Sequence, residues 1–288
     1  MPEKAARRLR LSGAYLPLGG ATLIMGVVNV TPDSFSDGGR FLGHEAAVAQ
    51  GLRLAREGAA ILDVGGESTR PGSDPTPLAE ELDRVLPVVR ELKARSGAVV
   101  SIDTYKAEVA EAAIQAGAGI VNDVTALNGD PAMAGLCAQS GVGLVLMHML
   151  GTPRTMQADP RYDDVVAEVR DFLAGQAEIA LAAGVDRQAI VVDPGIGFGK
   201  TLEHNLELIR NLGVLARLGY PVLLGASRKA FIGKLTDRPN PAERLWGTLG
   251  AHVLGAALGA DMVRVHDVAP LKEALQVADA VMAARVAP

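Results

Sequence analysis

The 288-residue chain is short of the features that mark several protein classes. Its one cysteine, Cys137, excludes an intrachain disulfide, and no Cys/His cluster has zinc-site spacing, so a reducing cytoplasm is the expected location. Aromatics make up 3% and the formal net charge is -5, too little stacking surface and basic charge for a nucleic-acid binder. No apolar run approaches the roughly 18 residues needed to span a bilayer. The opening stretch, MPEKAARRLRLSGAYLPLGG, is basic, yet Gly and Pro interrupt it before a signal-peptide core can form. What the chain has is apolar bulk: 49% of its residues, against 21% charged, ample for a sizeable core.

That bulk is patterned. Short β-branched runs at 22–29, 60–65, 98–103, 119–124, 143–148, 189–193, 221–225 and 261–266 read as strands. Amphipathic stretches near 44–57, 78–94, 106–116, 131–139, 163–183, 202–217, 241–258 and 270–284 read as helices. Strict alternation of eight strands with eight helices predicts an α/β fold, a single-domain (β/α)8 TIM barrel. A doubly wound sheet would stop near six strands and carry GxGxxG after the first, where this chain has Asn29-Val-Thr-Pro-Asp-Ser-Phe. Residues 1–21 are expected to form an arm or hairpin that plugs the barrel bottom, and 22–288 the barrel itself.

In such a barrel the chemistry sits where strands end at their C-terminal side. Polar residues collect there: Asn29, Asp63, Asp103, Asn122, His148, Asp193, Ser227-Arg228-Lys229, Arg264 and His266. Period-two alternation puts Arg264 and His266 on one face with Met262, and Asn122 with Ile120 and Val124. Asp123 must then point the other way and cap a neighbouring loop. Any one such residue is most simply an N-cap, but so many together on inward faces call for a compensating ligand. Carboxylates and an amide suit a flat heterocycle rich in N–H donors. Arg, His, Thr and a metal-competent Asn suit a diphosphate with Mg2+. Two polar, Pro-punctuated loops at the same rim, 31–41 and 67–77, read as lids. The stretch Gly195-Ile-Gly-Phe-Gly-Lys200-Thr201 mimics a P-loop, but Pro194 stands where the first glycine should be.

Seven ordered motifs carry a resemblance: Met25-GVVNVTPDSFSDGG, Ile61-LDVGGESTRPG, Ser101-IDTYK, Val121-NDV, Val192-DPGIGFGKT, Leu224-GASRKAFIG and Val263-RVHDV. From about residue 22 to 284 the chain resembles the dihydropteroate synthases, folate-pathway transferases of bacteria. The resemblance implies a homodimer that condenses 6-hydroxymethyl-7,8-dihydropterin diphosphate with 4-aminobenzoate, giving 7,8-dihydropteroate and pyrophosphate. It implies that Asp103, Asn122, Asp193 and Lys229 hold the pterin, with Phe198 and Ser227 among the substrate contacts. Asn29 matches the Mg2+-associated residue, and Thr69, Arg264 and His266 match diphosphate and pterin contacts. Phe35 and Pro71 match walls of the aminobenzoate site, Arg70 belongs to the same neighbourhood, and Asp37 matches an acid near the reacting carbon. The implied catalytic group is Asp37, Lys229, Arg264 and His266. One departure stands out. Ala230 occupies the position after Ser-Arg-Lys where a polar residue is expected, which leaves the aminobenzoate carboxylate to backbone N–H groups of the helix that follows.

Three other functions make distinct expectations. A pterin-dependent methyltransferase would not need the two long loops. A non-catalytic pterin-binding paralogue serving as an assembly partner would be favoured by loss of the lid acid, the metal-associated Asn or the Ser-Arg-Lys lysine, but Asn29, Asp37 and Lys229 are all present. A P-loop NTPase fails on Pro194. The Ala/Gly-rich face of 249–259 serves either a second copy or the barrel's own outer ring.

Overall fold

The computed structural model describes residues 7–30, 39–70 and 72–284, with side chains of the first helix from 43 onward. Strands β1 (Arg7–Leu11) and β2 (Ala14–Leu18) form an antiparallel hairpin around Ser12-Gly13. Eight parallel strands follow: β3 (Leu23–Asn29), β4 (Ile61–Gly65), β5 (Val99–Asp103), β6 (Ile120–Asp123), β7 (Gly143–Met147), β8 (Ile190–Asp193), β9 (Leu223–Leu224) and β10 (Met262–Val265). Their order, β8-β7-β6-β5-β4-β3-β10-β9, is closed by a bridge between Val192 and Val222, so the sheet curls into a barrel. Helices α1 (Gly39–Glu57), α2 (Leu78–Arg95), α3 (Ala107–Gln115), α4 (Met133–Ser140), α5 (Val165–Ala182), α6 (Leu202–Arg210), α7 (Leu212–Ala216), α8 (Ala230–Thr236), α9 (Leu245–Leu258) and α10 (Val268–Ala283) surround it. Among the described residues no helix is long and apolar enough to cross a membrane.

Both faces of the sheet are buried, which explains the near-continuous apolar strands: all five residues of β4 and of β7 are buried. One face packs on the helices in the main core. The other lines the barrel interior, where Met25, Ile61, Ile120, Val145, Val191, Leu223 and Met262 cluster with Leu9, Leu11 and Leu18 of the hairpin. The hairpin is therefore the expected plug. Arg7 anchors it to Asp261 at 2.9 Å.

Three sequence expectations need correction. The helix expected over 202–217 breaks at Asn211 into α6 and α7. The one expected over 241–258 begins as a 3-10 turn at Pro241–Glu243, and α9 starts only at Leu245. The strand expected over 221–225 pairs in the sheet only at Leu223–Leu224, with Val222 making the closing bridge. The small residues of α9 answer the ring question in part: a Cβ on Gly255 would lie 2.2 Å from Leu224 Cδ2, so that glycine serves close packing on the barrel.

Candidate active site

Parity selects what enters the mouth. Residues two and four positions beyond the interior apolar layer are Asp63 on β4, Ser101 and Asp103 on β5, Asn122 on β6, Met147 on β7, Asp193 on β8 and Arg264 on β10. Arg264 binds two of them at once, Nε to Asp63 Oδ2 at 2.6 Å and Nη2 to Asp103 Oδ2 at 2.8 Å. Asn122 Nδ2 donates to the same Asp63 Oδ2 at 3.0 Å. Asp63 Oδ1 and Ser101 Oγ find no partner among the described residues. Asp193 Oδ1 accepts from the Gly195 N–H at 2.7 Å. Glycines keep the space beside these acids open. A Cβ on Gly225 would sit 3.7 Å from Asp193 Oδ2, and one on Gly65 3.6 Å from Asp103 Oδ2.

The electrostatics follow from that crowding. Burial pushes the Asp103 carboxyl up to about 7, against the pull of Arg264 and with the help of Asp63. Burial raises Asp193 to about 6, opposed by the Gly195 N–H and by Lys229, Arg264 and Lys200. Lys229 comes down to about 8, through burial and then repulsion from Arg264. Displaced values of this kind gather at functional sites.

Lys229 reaches the mouth from the turn after β9. Its Nζ lies 3.9 Å from the centroid of the Phe198 ring, a cation–π contact joining two of the expected residues. The turn is strained, with Arg228 at φ 58°, and it is held by Arg228 Nη2 to Asp267 at 2.7 Å and by Arg228 N–H to Thr248 Oγ1 at 3.0 Å. That strain places Ser227 beside His266, Oγ to Nδ1 at 2.9 Å, while the His266 N–H donates to the same Oγ at 3.2 Å. Burial and then Arg264 lower His266 to about 3, so at neutral pH it is an uncharged imidazole.

Asn29 ends β3, half-buried, on the inward face with Met25. Thr69 and Arg70 stand in the rim loop after β4, half-buried and exposed, and no described hydrogen bond ties either side chain to the Arg264 network. Phe35, Asp37 and Pro71 lie outside the described residues. Asp123 faces outward as expected, capping its loop through Thr125 and Leu127 N–H groups at 2.8 and 2.7 Å.

His148 is a correction. One residue beyond inward-facing Met147, it points away from the mouth, packs edge-on against Phe172 at 4.9 Å, and meets Lys200 Nζ at 2.9 Å. Lys200 itself is buried and donates to Phe198 O at 2.9 Å, so the false P-loop lysine is a clasp between two rim loops. Gly195 is the hinge of that arrangement: its φ is 67°, and a Cβ there would meet His148 O at 1.8 Å. Sequence reasoning also missed Lys106, which binds Glu67 Oε2 at 2.6 Å, Thr76 O at 2.7 Å and Glu81, fastening both ends of the second loop. Its position in the Ser101-IDTYK motif was the available signal.

The family model described as pterin binding enzyme matches residues 25–266, from the first barrel strand to the last. The chain belongs to the pterin-binding enzymes, among the dihydropteroate synthases. The dihydropteroate synthase of Mycobacterium leprae is 52% identical over 89% of this chain and 92% of its own. The Xanthomonas albilineans dihydropteroate synthase with 4-aminobenzoic acid is 49% identical, covers 98% of this chain and 100% of its own, and superposes with a TM-score of 0.92. The same enzyme with 7,8-dihydropteroate gives 0.87 at 47% identity over 96% of this chain and 100% of its own. A match of this extent sets the methyltransferase and NTPase readings aside.

Proposed function

We propose that this pterin-binding transferase makes 7,8-dihydropteroate and pyrophosphate from 6-hydroxymethyl-7,8-dihydropterin diphosphate and 4-aminobenzoate, with Asp103, Asn122 and Asp193 accepting from the pterin N–H edge. The convergence of those three acceptors within one barrel mouth carries the reading. Lys229 and Phe198 flank the ring, with Ser227 setting the His266 imidazole. Arg264, a neutral His266 and Thr69 receive the diphosphate, and Arg70, Phe35 and Pro71 shape the aminobenzoate site. Facing Ala230, the aminobenzoate carboxylate takes N–H groups at the start of α8.

The described residues contain no cluster of three acidic, His or Cys groups that would cage a metal. A single amide oxygen from Asn29 instead fits Mg2+, which keeps its waters and takes the rest of its ligands from substrate phosphates. Bound there, Mg2+ would supply charge neutralisation on the diphosphate.

The chain's own groups favour a dissociative path. The C–O bond to the diphosphate breaks with its electron pair leaving on pyrophosphate. Arg264 and the imidazole Nε2–H of His266 stabilise that charge, and anionic Asp37 steadies the pterin methylene cation. The aniline lone pair then forms the C–N bond, and the acidic anilinium proton passes to water or pyrophosphate. The two rim loops exclude water, the competing nucleophile. A steady-state assay tests this in two arms. Pyrophosphate release should depend strongly on 4-aminobenzoate, with slow release in its absence from hydrolysis of the cation. No release above background in either arm would refute the activity, slow release without aminobenzoate supports the dissociative step, and release as fast without aminobenzoate as with it would refute transfer to that acceptor.

The acceptor role also dictates a pH profile. A protonated carboxyl donates where the pterin needs an acceptor, so affinity for the uncharged 6-hydroxymethyl-7,8-dihydropterin should fall as Asp103 and Asp193 protonate near 7 and 6. It should fall again as Lys229 loses its proton near 8. A calorimetric profile that stays flat across this range would contradict the assignment.

A homodimer is part of the proposal. Trp246, Leu254, Val277 and Val281 stand 78, 53, 67 and 70% exposed on α9 and α10, apolar surface of the kind that an interface covers. Trp246→Glu should leave monomers in sedimentation velocity; an unchanged dimer would place the interface elsewhere. A cytoplasmic setting agrees with Cys137, which is buried and pushed up to about 12.

A further inference from the structure

Asp63 is absent from the substrate contacts just proposed, yet two of them hang from one of its atoms. Its side chain is fully buried, and Oδ2 alone accepts from both Asn122 Nδ2 and Arg264 Nε. A carboxylate has no proton to give, so the Asn122 amide can meet it only with its NH2 group. The carbonyl oxygen of Asn122 is thereby committed to the other side. The same bond, with Asp103 on Nη2, fixes the plane of the Arg264 guanidinium and leaves its remaining donors for a ligand.

We propose that Asp63 is a positioning residue that sets the hydrogen-bond polarity of the mouth, turning Asn122 into an acceptor and aiming Arg264. The inference rests on the pterin-binding reading above. It explains why Asn, which is otherwise ambivalent, can serve beside Asp103 and Asp193 in a row of acceptors. It also makes Asp63 a determinant of ligand choice without touching the ligand: with the amide turned over, the mouth would present a donor to the pterin's own donors.

The test is calorimetry with 6-hydroxymethyl-7,8-dihydropterin on wild type, Asp63→Val, Asp63→Asn, Asn122→Ala and the Asp63→Val/Asn122→Ala double variant. Asp63→Val should weaken binding at least about tenfold, the cost of an unpaired buried polar group. Asp63→Asn, whose amide oxygen can replace Oδ2, should stay within about threefold of wild type. This ligand lacks the diphosphate that Arg264 receives, so Asp63 acts on it through Asn122, and the double variant should bind within about twofold of Asn122→Ala alone. Multiplying losses, or wild-type affinity in Asp63→Val, would overturn the proposal. A wild type that does not bind the dihydropterin would instead defeat the pocket reading on which it rests. Should Asp63→Val not fold, NMR of the wild type decides the matter. The Asn122 NH2 should be protected from exchange before ligand is added and keep its resonances afterwards. Exchange at the rate of a solvated amide would contradict the assignment.

Discussion

Asp193→Ala should abolish measurable pterin binding while leaving a folded barrel. Its carboxylate is the acceptor proposed to take a pair of ring N–H groups, and each charge-assisted bond to a buried acceptor contributes about 1.5–3 kcal/mol. Losing two predicts an affinity at least about a hundredfold weaker. The cost to the fold is smaller. Only the Gly195 N–H depends on the Asp193 side chain among the described hydrogen bonds, and an orphaned backbone donor costs about 1–3 kcal/mol. Part of this is returned, because burying the charge is itself unfavourable, as the upward displacement to about 6 records. Calorimetry and thermal denaturation on the same preparation separate the two effects. A variant that retains pterin affinity would remove Asp193 from the site.

Arg264→Met should damage stability and turnover together. The guanidinium is the partner of two acids, Asp63 and Asp103, at 2.6 and 2.8 Å. Removing it strands both in the barrel mouth, and breaking a buried pair in this way costs about 3–5 kcal/mol. For a barrel of this size that is a fall of roughly 10 °C in the unfolding midpoint. The deficit should depend on pH with a definite sign. Asp103, already pushed up to about 7 with Arg264 opposing, rises further without it, so the folded variant prefers the protonated acid. Its stability should therefore recover as the pH is lowered from above 7 and decline as the pH is raised. A deficit that is independent of pH would mean that Arg264 acts through packing alone. Turnover should fall at least about a hundredfold, since the leaving diphosphate loses the cationic side chain proposed to receive it.

These effects were unequally legible in the sequence. Strand parity alone placed Arg264, Asn122 and Asp123 on their correct faces, because side chains alternate strictly along a strand. The same rule, applied to β7, would have removed His148, which follows the inward Met147 and belongs to the outer packing. The hairpin was legible in Gly13 and the Gly19-Gly20 pair, which offer turns on either side of the second strand, whereas the seating of Leu9 and Leu11 in the barrel is seen only in the structure. Asp63 was seen as a strand-end acid, but its hold on Asn122 and Arg264 joins positions 59 and 201 residues away, a relation that only barrel closure creates. The Lys200 and Lys106 clasps were hidden for a similar reason: the partners that fix each lysine come from loops that only the fold brings together. The helix break at Asn211 escaped because apolar spacing continues across it, while Asn211 itself adopts φ -109° and ψ 22°.

A crystal structure with 6-hydroxymethyl-7,8-dihydropterin diphosphate bound is the decisive measurement. The ring should lie in the mouth with its N–H edge on Asp103, Asn122 Oδ1 and Asp193, and its diphosphate on Arg264 and His266. A ring seated outside the barrel mouth, or one turned with its N–H edge away from those acceptors, would contradict the account.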